Sequence, residues 1–566
     1  MKIPIRLNHP LVKPFVGAAL LFFMTYSLLA HWEQRGNSPH FDASTRSQTH
    51  FDIDVMAAEA AAQGKTTLAA DPKPTGGATA GEEGELKKRD RKIVAHFLAD
   101  WARTFDLAEE AGLDGLVLNL GKERWQLERL ATAYNMASRR LRRPVLNAKP
   151  IQLMMSLDMT DIPSSSWQHG KILVDTLVQH IQSPAQMRHG EDERPLLTTF
   201  GGEDASFGGR GWHGVLARFA EKSHNGKRPF FWPGFHADSK AIIDNKDVDG
   251  TFAWSNAWPQ NNHRLTLTQD LPFLVAKKPH MMGVSPVFFT HYGKTGRYAF
   301  DKNFIYRSDD LLYPSRWREI LELTPDHSPE MVQVISWNDY GESHAISPSM
   351  GAEPGSRGWT RYMNHVAFRE MTSYFGARWR DGAPEVSDEI VIWAWYRIHG
   401  KGATAKSDPV PRPENADWAQ DLVNAVVLVP EALEDVLFEV VNGRGRGSTH
   451  SFKLKKGMNM LTMGFRPGRV DMYLHSKLGL HIRAKGKRIL EDKDVSRYNF
   501  NFWSGAWHAG IPGVGIGRRA PSEENRWWDE EQQAWRWNIN DVDGDDVDFP
   551  SDASEPVDEE VEADGE

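Results

Sequence analysis

A (β/α)8 TIM barrel of the α/β class, followed by a C-terminal β-sandwich, is the fold that this 566-residue sequence predicts, and three observations carry it. First, eight apolar or alternating runs, rich in β-branched and aromatic residues, read as strands at 93–97, 115–120, 151–157, 196–200, 229–232, 251–254, 281–284 and 331–337. Second, stretches with helical spacing or helix-forming composition lie between them, at 101–111, 125–141, 171–181, 212–223, 239–245, 265–276 and 315–323. One more, at 361–375, follows the last strand. Strands that alternate with helices imply parallel pairing, and eight such units in roughly 290 residues fit a closed barrel better than an open sheet. Third, beyond a cluster of Pro and Asp at 381–388, short runs at 390–398, 423–429, 436–441, 449–454, 461–465, 470–474 and 479–482 alternate with Gly, Asn and Pro turns. Short strands at that spacing predict the sandwich, which either steadies the barrel or binds ligand.

The flanks are of a different kind. Lys2, Arg6 and Lys13 form a basic flank (1–13) before an apolar run at 14–30, the order of a signal peptide or of an uncleaved signal anchor. Leu28 and Ala30 make a poor small-x-small cleavage site, which favours an anchor, hence a membrane contact, with the catalytic region outside the cytoplasm. Residues 31–90, rich in Ala, Gly, Thr and charge, bury too little to fold and read as a tether. The segment 511–566 reads as an acidic, disordered tail; from Asp541 onward it holds thirteen Asp and Glu and neither Lys nor Arg.

Within a barrel, position implies function, because reacting groups sit on the loops after the C-terminal ends of the strands. Asp158 follows the third run; Glu203 follows Thr198-Thr-Phe-Gly-Gly; Asn256 and Trp258 follow the sixth; His291 lies past Val284. After the eighth run comes Trp337-Asn-Asp-Tyr-Gly-Glu-Ser-His344, which places Asp339 and Glu342 just beyond a buried strand. Carboxylates in such places are costly unless they have work to do, and the best-known work is proton transfer or nucleophilic attack at a sugar acetal. The third and eighth strands are three steps apart around the ring, so Asp158 can face the other two acids across the mouth.

At these residues the chain resembles glycoside hydrolase family 71, the fungal α-1,3-glucanases or mutanases. The resemblance rests on Val94-Ala-His-Phe97, Gly115-Leu-Val-Leu-Asn-Leu-Gly121, Ser156-Leu-Asp-Met159, Thr199-Phe-Gly-Gly-Glu203, Asn256-Ala-Trp-Pro259, Val284-Ser-Pro286 with Phe289-Thr-His291, Lys302-Asn303 with Tyr306-Arg-Ser-Asp309, and the 337–344 run. These motifs keep the family order over about 91–350, with a weak continuation to Tyr498-Asn-Phe-Asn-Phe502. What the resemblance implies is inverting, endo-acting hydrolysis of α-1,3-glucan without a cofactor, by an acidic trio at Asp158, Asp339 and Glu342. It also implies substrate contacts at His96, Asn119, Glu203, Trp254, Asn256, Trp258, His291, Trp337, Asn338, Tyr340 and His344. The chain departs from the family pattern in a shortened first loop after His96-Phe97 and in Val287, Phe304 and Ala345, each of which replaces a usual aromatic. These are losses of sugar-stacking surface.

Inverting cleavage needs a protonated group beside the leaving oxygen and an ionised one beside the attacking water, roughly 6.5–9.5 Å apart. Glu342 is the expected acid, because its longer side chain and higher intrinsic pKa make it easier to keep protonated; Asp339 or Asp158 then holds the water. Each residue also has a plainer reading. Asp339 can cap a turn, Asp158 can cap the helical turn at 162–166, and Glu203 can pair with Arg210 instead of sugar. The 21 tryptophans supply stacking platforms, with Trp254, Trp258 and Trp337 nearest the strand ends, though most others belong to the core.

Several classes are excluded or disfavoured. The absence of cysteine removes disulfides, thiolate metal sites and a cysteine nucleophile. His96, His291 and His344 occupy no close metal-ligand spacing, and no basic stripe with aromatics suggests nucleic acid. A monomer that acts on polysaccharide is the expectation, and a non-catalytic, glucan-binding wall protein on the same scaffold is the alternative.

Overall fold

The alternating runs of the first half form strands that share one sheet. The computed structural model describes residues 91–97, 101–142, 150–276, 278–296, 298–349, 355–444, 449–477, 480–493 and 495–510, with two short strands at 526–529 and 534–537. The chain opens with β1 (Lys92–Phe97), α1 (Ala102–Glu110), β2 (Gly115–Leu120), α2 (Arg124–Arg142), β3 (Gln152–Asp158) and α3 (Trp167–Ile181). A short β4 (Arg188–His189) precedes β5 (Arg194–Phe200), α4 (Gly211–Lys222), β6 (Phe230–Phe231), α5 (Ser239–Asp244), β7 (Thr251–Phe252) and α6 (Leu271–Val275). Then come β8 (His280–Val284), β9 (Phe289–His291), β10 (Asn303–Ile305), α7 (Leu312–Glu322), β11 (Met331–Val334), α8 (Arg357–Thr360) and α9 (Val366–Gly376).

The parallel ladder runs β6-β5-β3-β2-β1-β11-β8-β7, so all eight expected strands are neighbours in chain order around a curled sheet. Period-2 alternation gives the sheet two apolar faces. One face gathers Val94, Val117, Met154, Leu196, Phe230, Phe252, Met281 and Met331, one residue from each of the eight strands, in a single cluster. The other face, with Ile93, Leu116, Leu153, Leu197 and Val332 among others, packs against the helices. On α2 the buried residues Leu130, Ala133, Tyr134 and Ala137 recur at helical spacing on one side, and Arg139, Arg140 and Arg142 in the last turn complement the helix dipole. Between β6 and β7 the Asp249 and Gly250 amides donate to the Phe231 carbonyl at 2.9 and 3.3 Å, and the Trp232 indole donates to the Thr251 carbonyl at 2.7 Å.

Three elements depart from expectation. The eighth strand stops at Val334, not 337, because the Ser336 amide and carbonyl pair with His344 and Ile346 inside the following loop. The helix expected at 265–276 splits into a 3-10 turn at Leu267–Gln269 and α6, where Pro272 sits in the first turn and supplies no amide donor. The last helix starts five residues late, at Val366, whose amide is taken by the Asn364 side chain at 2.8 Å. The hairpin of β9 and β10 and the two-residue β4 were not anticipated.

Two antiparallel four-stranded sheets make up the second half. They comprise β12 (Glu389–Arg397), β13 (Leu422–Val429), β14 (Leu437–Gly443), β15 (Thr449–Lys453), β16 (Gly457–Gly464), β17 (Arg469–His475), β18 (His481–Lys485) and β19 (Phe502–Gly510). The orders are β16-β13-β12-β19 and β15-β14-β17-β18, and residues of both, such as Ile392, Val427, Phe438 and Met472, share one core. Trp393 and Trp395 on the opposite face of β12 join the helix-side core of the first half, beside Phe368 of α9. The two-sheet unit therefore steadies the parallel sheet by burying apolar surface against it.

A buried polar lock reinforces this contact. Arg397 donates to Asp309 at 2.7 Å and to Asp421 at 2.6 Å, and Asp309 also accepts from the Gln420 and Asp421 amides. Arg397 and Asp309 are each only 3% exposed, so removal of one partner strands the other charge. Arg397→Met is expected to cost about 3–5 kcal/mol in equilibrium urea unfolding; an unchanged midpoint would show that the pair contributes nothing net.

Within the segment expected to be a disordered tail, β20 (Arg526–Asp529) and β21 (Ala534–Trp537) pair as an antiparallel ladder, with Trp528 in register with Trp535. The acidic run from Asp541, the apolar run at 14–30 and the tether at 31–90 lie outside the described residues. Among the described residues no helix is long and apolar enough to cross a membrane.

Candidate active site

The loop after β11 closes on itself. Backbone bonds from Ser336 N to His344 O (2.9 Å), Ile346 N to Ser336 O (3.0 Å) and Ser347 N to Trp337 O (2.8 Å) cinch its ends. Inside, the Ser336 hydroxyl oxygen accepts from the Asp339 amide at 2.9 Å and pairs with His344 Nδ1 at 2.8 Å. The Glu342 amide donates to Asp339 Oδ1 at 3.0 Å. Gly341 between the two acids is required by space, since a Cβ there would lie 2.5 Å from the Tyr292 hydroxyl. These bonds hold Asp339 and Glu342 side by side at the C-terminal end of the parallel strands.

A histidine and a lysine face Glu342. His344 Nε2 lies 2.9 Å from Oε2, and the Lys302 ammonium, carried beside β10, lies 3.1 Å from Oε1. Burial raises the Glu342 pKa, but Lys302 and His344 outweigh it and hold the carboxyl below its usual range. Asp339 is pushed the other way. Burial and the neighbouring Glu342 charge raise it, and the opposing pull of His344 and Lys302 is smaller. These directions favour Asp339 over Glu342, the member expected from sequence, as the holder of the proton. Chain length and intrinsic pKa are small effects beside a directly bonded ammonium. Tyr306, pushed up to about 12 by burial and by the Glu342 charge, stays a neutral phenol nearby.

One ligand atom each from Asp339, Glu342 and His344 lie within 4.8 Å of one another, a spacing a cation could use. Lys302 already brings positive charge to this cluster, so the arrangement needs no ion to be neutralised.

Asp158 ends β3, and its Oδ1 accepts from the Thr160 amide and hydroxyl at 3.1 and 2.5 Å, which orients the carboxylate. Its charge is felt at Lys302 and at His236. Glu203 is exposed beyond β5 and accepts from the His236 amide at 3.2 Å; Arg210, its alternative partner, instead lies over the Trp167 ring at 4.7 Å. The left-handed Gly202, where a Cβ would lie 2.6 Å from Met159, turns the chain between β5 and Glu203. The His236 pKa is lowered by loss of hydration, with Glu203 and Asp158 pulling upward. Asp158, Glu203 and His236 thus form a second polar group, linked electrostatically to the first through Lys302.

Several expected sugar contacts are structural instead. Trp258 and Trp337 are buried, at 1% and 0% exposure, and cannot present an indole face to substrate. Trp258 supports His344 at a ring distance of 5.5 Å and bonds the Val287 carbonyl. Asn256 is buried, and its amide bonds Gln269 O and Asp270 Oδ1. His291 is held between Asn303 (2.7 Å) and Asp408 (2.8 Å), and the Tyr340 hydroxyl between Ser347 and Pro348. Asn338 is buried within the loop. The His96 backbone lies in β1 opposite Val117, and residues 98–100 of the shortened first loop lie outside the described residues. Trp254 is half-buried, against Phe200 and Trp258, and Asn119 is half-buried on β2 with its side-chain oxygen unpaired, so both remain open to a ligand role.

Sequence reasoning missed Lys302 and His236. Lys302 belonged to a quoted motif but was given no role, because nothing local shows that a lysine beside a short strand reaches a loop forty residues on. His236 lies after the fifth parallel strand, where the strand-end rule could have found it.

Parallel strands whose C-terminal loops carry clustered acids and a lysine have the makings of a glycoside hydrolase site. A model described as glycosyl hydrolase family 71 matches residues 91–513, and the chain belongs to that family. It is 27% identical over 441 residues to glucan endo-1,3-alpha-glucosidase agn1 of Schizosaccharomyces pombe, covering 74% of this chain and 95% of that one. An ascus wall endo-1,3-alpha-glucanase of the same organism is 27% identical, covering 73% and 96%. A mutanase of Penicillium rubens is 28% identical, covering 60% and 72%.

Proposed function

We propose that the chain hydrolyses α-1,3-glucosidic bonds of a wall glucan, endo-acting and with inversion. The observation that carries this reading is the Asp339–Glu342–His344–Lys302 cluster, at the C-terminal end of the parallel strands of a family 71 chain. The named relatives are glucanases or a mutanase, and the binding-only alternative is not favoured.

Asp339 and Glu342 stand too close together for a sugar ring and a water to fit between them, given the roughly 6.5–9.5 Å that inversion needs. The opposing carboxylate in this reading is Asp158, which holds the attacking water. Asp339 keeps a proton for the leaving oxygen; Glu342, anchored by Lys302 and His344, is the fixed negative charge that sustains that proton. Asn119, Glu203, His236 and Trp254 supply the surrounding polar and stacking contacts.

The eight-strand interior cluster and the bonds across the β6–β7 seam support reading residues 91–380 as a closed (β/α)8 barrel and 388–510 as a β-sandwich. The sequence of 1–30 supports delivery to the secretory route with the chain held at the membrane or wall, acting as a monomer. The test is incubation of the purified protein with insoluble α-1,3-glucan. New reducing ends are expected, and binding without release of sugar would overturn the enzyme reading.

A further inference from the structure

Trp125, Ile172 and Phe300 are the large apolar side chains more than half exposed among the described residues, at 52%, 54% and 55%. An exposed phenyl ring alone means little. Phe300 differs in what it stands on. Its ring meets that of Tyr292 edge-to-face at 4.9 Å, and Tyr292 is buried with its hydroxyl against Gly341, the residue between Asp339 and Glu342. Two residues further on, Lys302 places its ammonium on Glu342. The backbone around Phe300 is also tied, with Phe300 N bonded to Tyr298 O (2.8 Å), Asp301 N to Gly293 O (3.1 Å) and Tyr292 N to Lys302 O (2.7 Å). A flat apolar surface is therefore held one ring beyond the catalytic loop, on the Lys302 side, facing solvent.

Such a surface suits the C–H face of a pyranose, which gains by leaving water against an aromatic ring while its hydroxyls stay hydrated. The buried Trp258 and Trp337 cannot do this. From this geometry we infer that Phe300 is a sugar-binding platform, stacking a glucosyl unit of the polymer beyond the one whose bond is cut. The inference rests on the proposed α-1,3-glucan reading and adds a binding position to it.

The test uses the full chain as wild type, Phe300→Ala, Phe300→Trp and Ile172→Ala, the last removing a comparably exposed apolar side chain from α3. Hydrolysis of a long α-1,3-linked oligosaccharide is measured alongside retention on insoluble α-1,3-glucan, the latter in an Asp158→Asn background. Phe300→Ala is expected to raise KM and weaken retention about fivefold, with kcat within about twofold, as one stacking contact warrants. Phe300→Trp should keep wild-type values and Ile172→Ala should change neither. Unchanged KM and retention in Phe300→Ala would overturn the platform. A wild type that binds glucan without cutting it would refute the hydrolase reading while the retention arm still decides Phe300; a wild type that neither binds nor cuts would refute both.

Discussion

Asp158→Asn is expected to lower kcat on α-1,3-glucan by about a thousandfold or more, with little change in KM, because the substitution preserves shape and removes the group that takes the water's proton. The Thr160 bonds to Oδ1 can persist with an amide oxygen, so the side chain stays in place and the loss is chemical. The smaller Asp158→Ala opens a path for a small anionic nucleophile. Added azide should then restore turnover and give a β-glycosyl azide, the inverted product of an α-linked substrate. Near-wild-type turnover in Asp158→Asn would remove Asp158 from the chemistry.

Asp339→Asn is the second large effect and the one that decides the proton's address. An amide cannot protonate the leaving oxygen, so kcat on glucan should fall by about 100- to 10,000-fold, while a substrate with an activated aryl leaving group should lose far less. The pH dependence has a defined sign. Burial and the Glu342 charge raise Asp339, so its protonated, active form persists at low pH, and activity falls as pH rises through that raised value. Glu342, held low by Lys302 and His344, stays ionised over the same range. Lys302→Met withdraws the charge that pulls both carboxyls down, so the alkaline limb should move to higher pH, read from kcat profiles. If Glu342→Gln, and not Asp339→Asn, spares the activated substrate, the acid is Glu342.

The positions of the three acids were readable from sequence because each stands at or just past a strand's C-terminal end, and strands announce themselves by period-2 patterning. Their charge states were not. Whether Glu342 holds a proton depends on Lys302, forty residues away along the chain and placed by the β9–β10 hairpin, which leaves no clear periodic mark. Trp258, Trp337 and His291 fail as sugar contacts for a related reason. A position after a strand end shows which end of the sheet a residue occupies and not whether its side chain turns to solvent or to the core. Phe300 was overlooked because an aromatic inside a turn carries no pattern, and its value comes from the ring beneath it.

The fold was more accessible than the site. Eight strands and their helices follow from summed apolar burial, which averages over many residues, whereas Pro272 and the closed 335–347 loop alter single elements through one missing donor or a few local bonds.

The most direct measurement is proton NMR of the reducing end as it is first released from an α-1,3-linked oligosaccharide, before mutarotation. Asp158 acting across the substrate from the Asp339–Glu342 pair predicts the β-anomer first. Early appearance of the α-anomer would mean that the paired acids perform a double displacement, and would contradict the account.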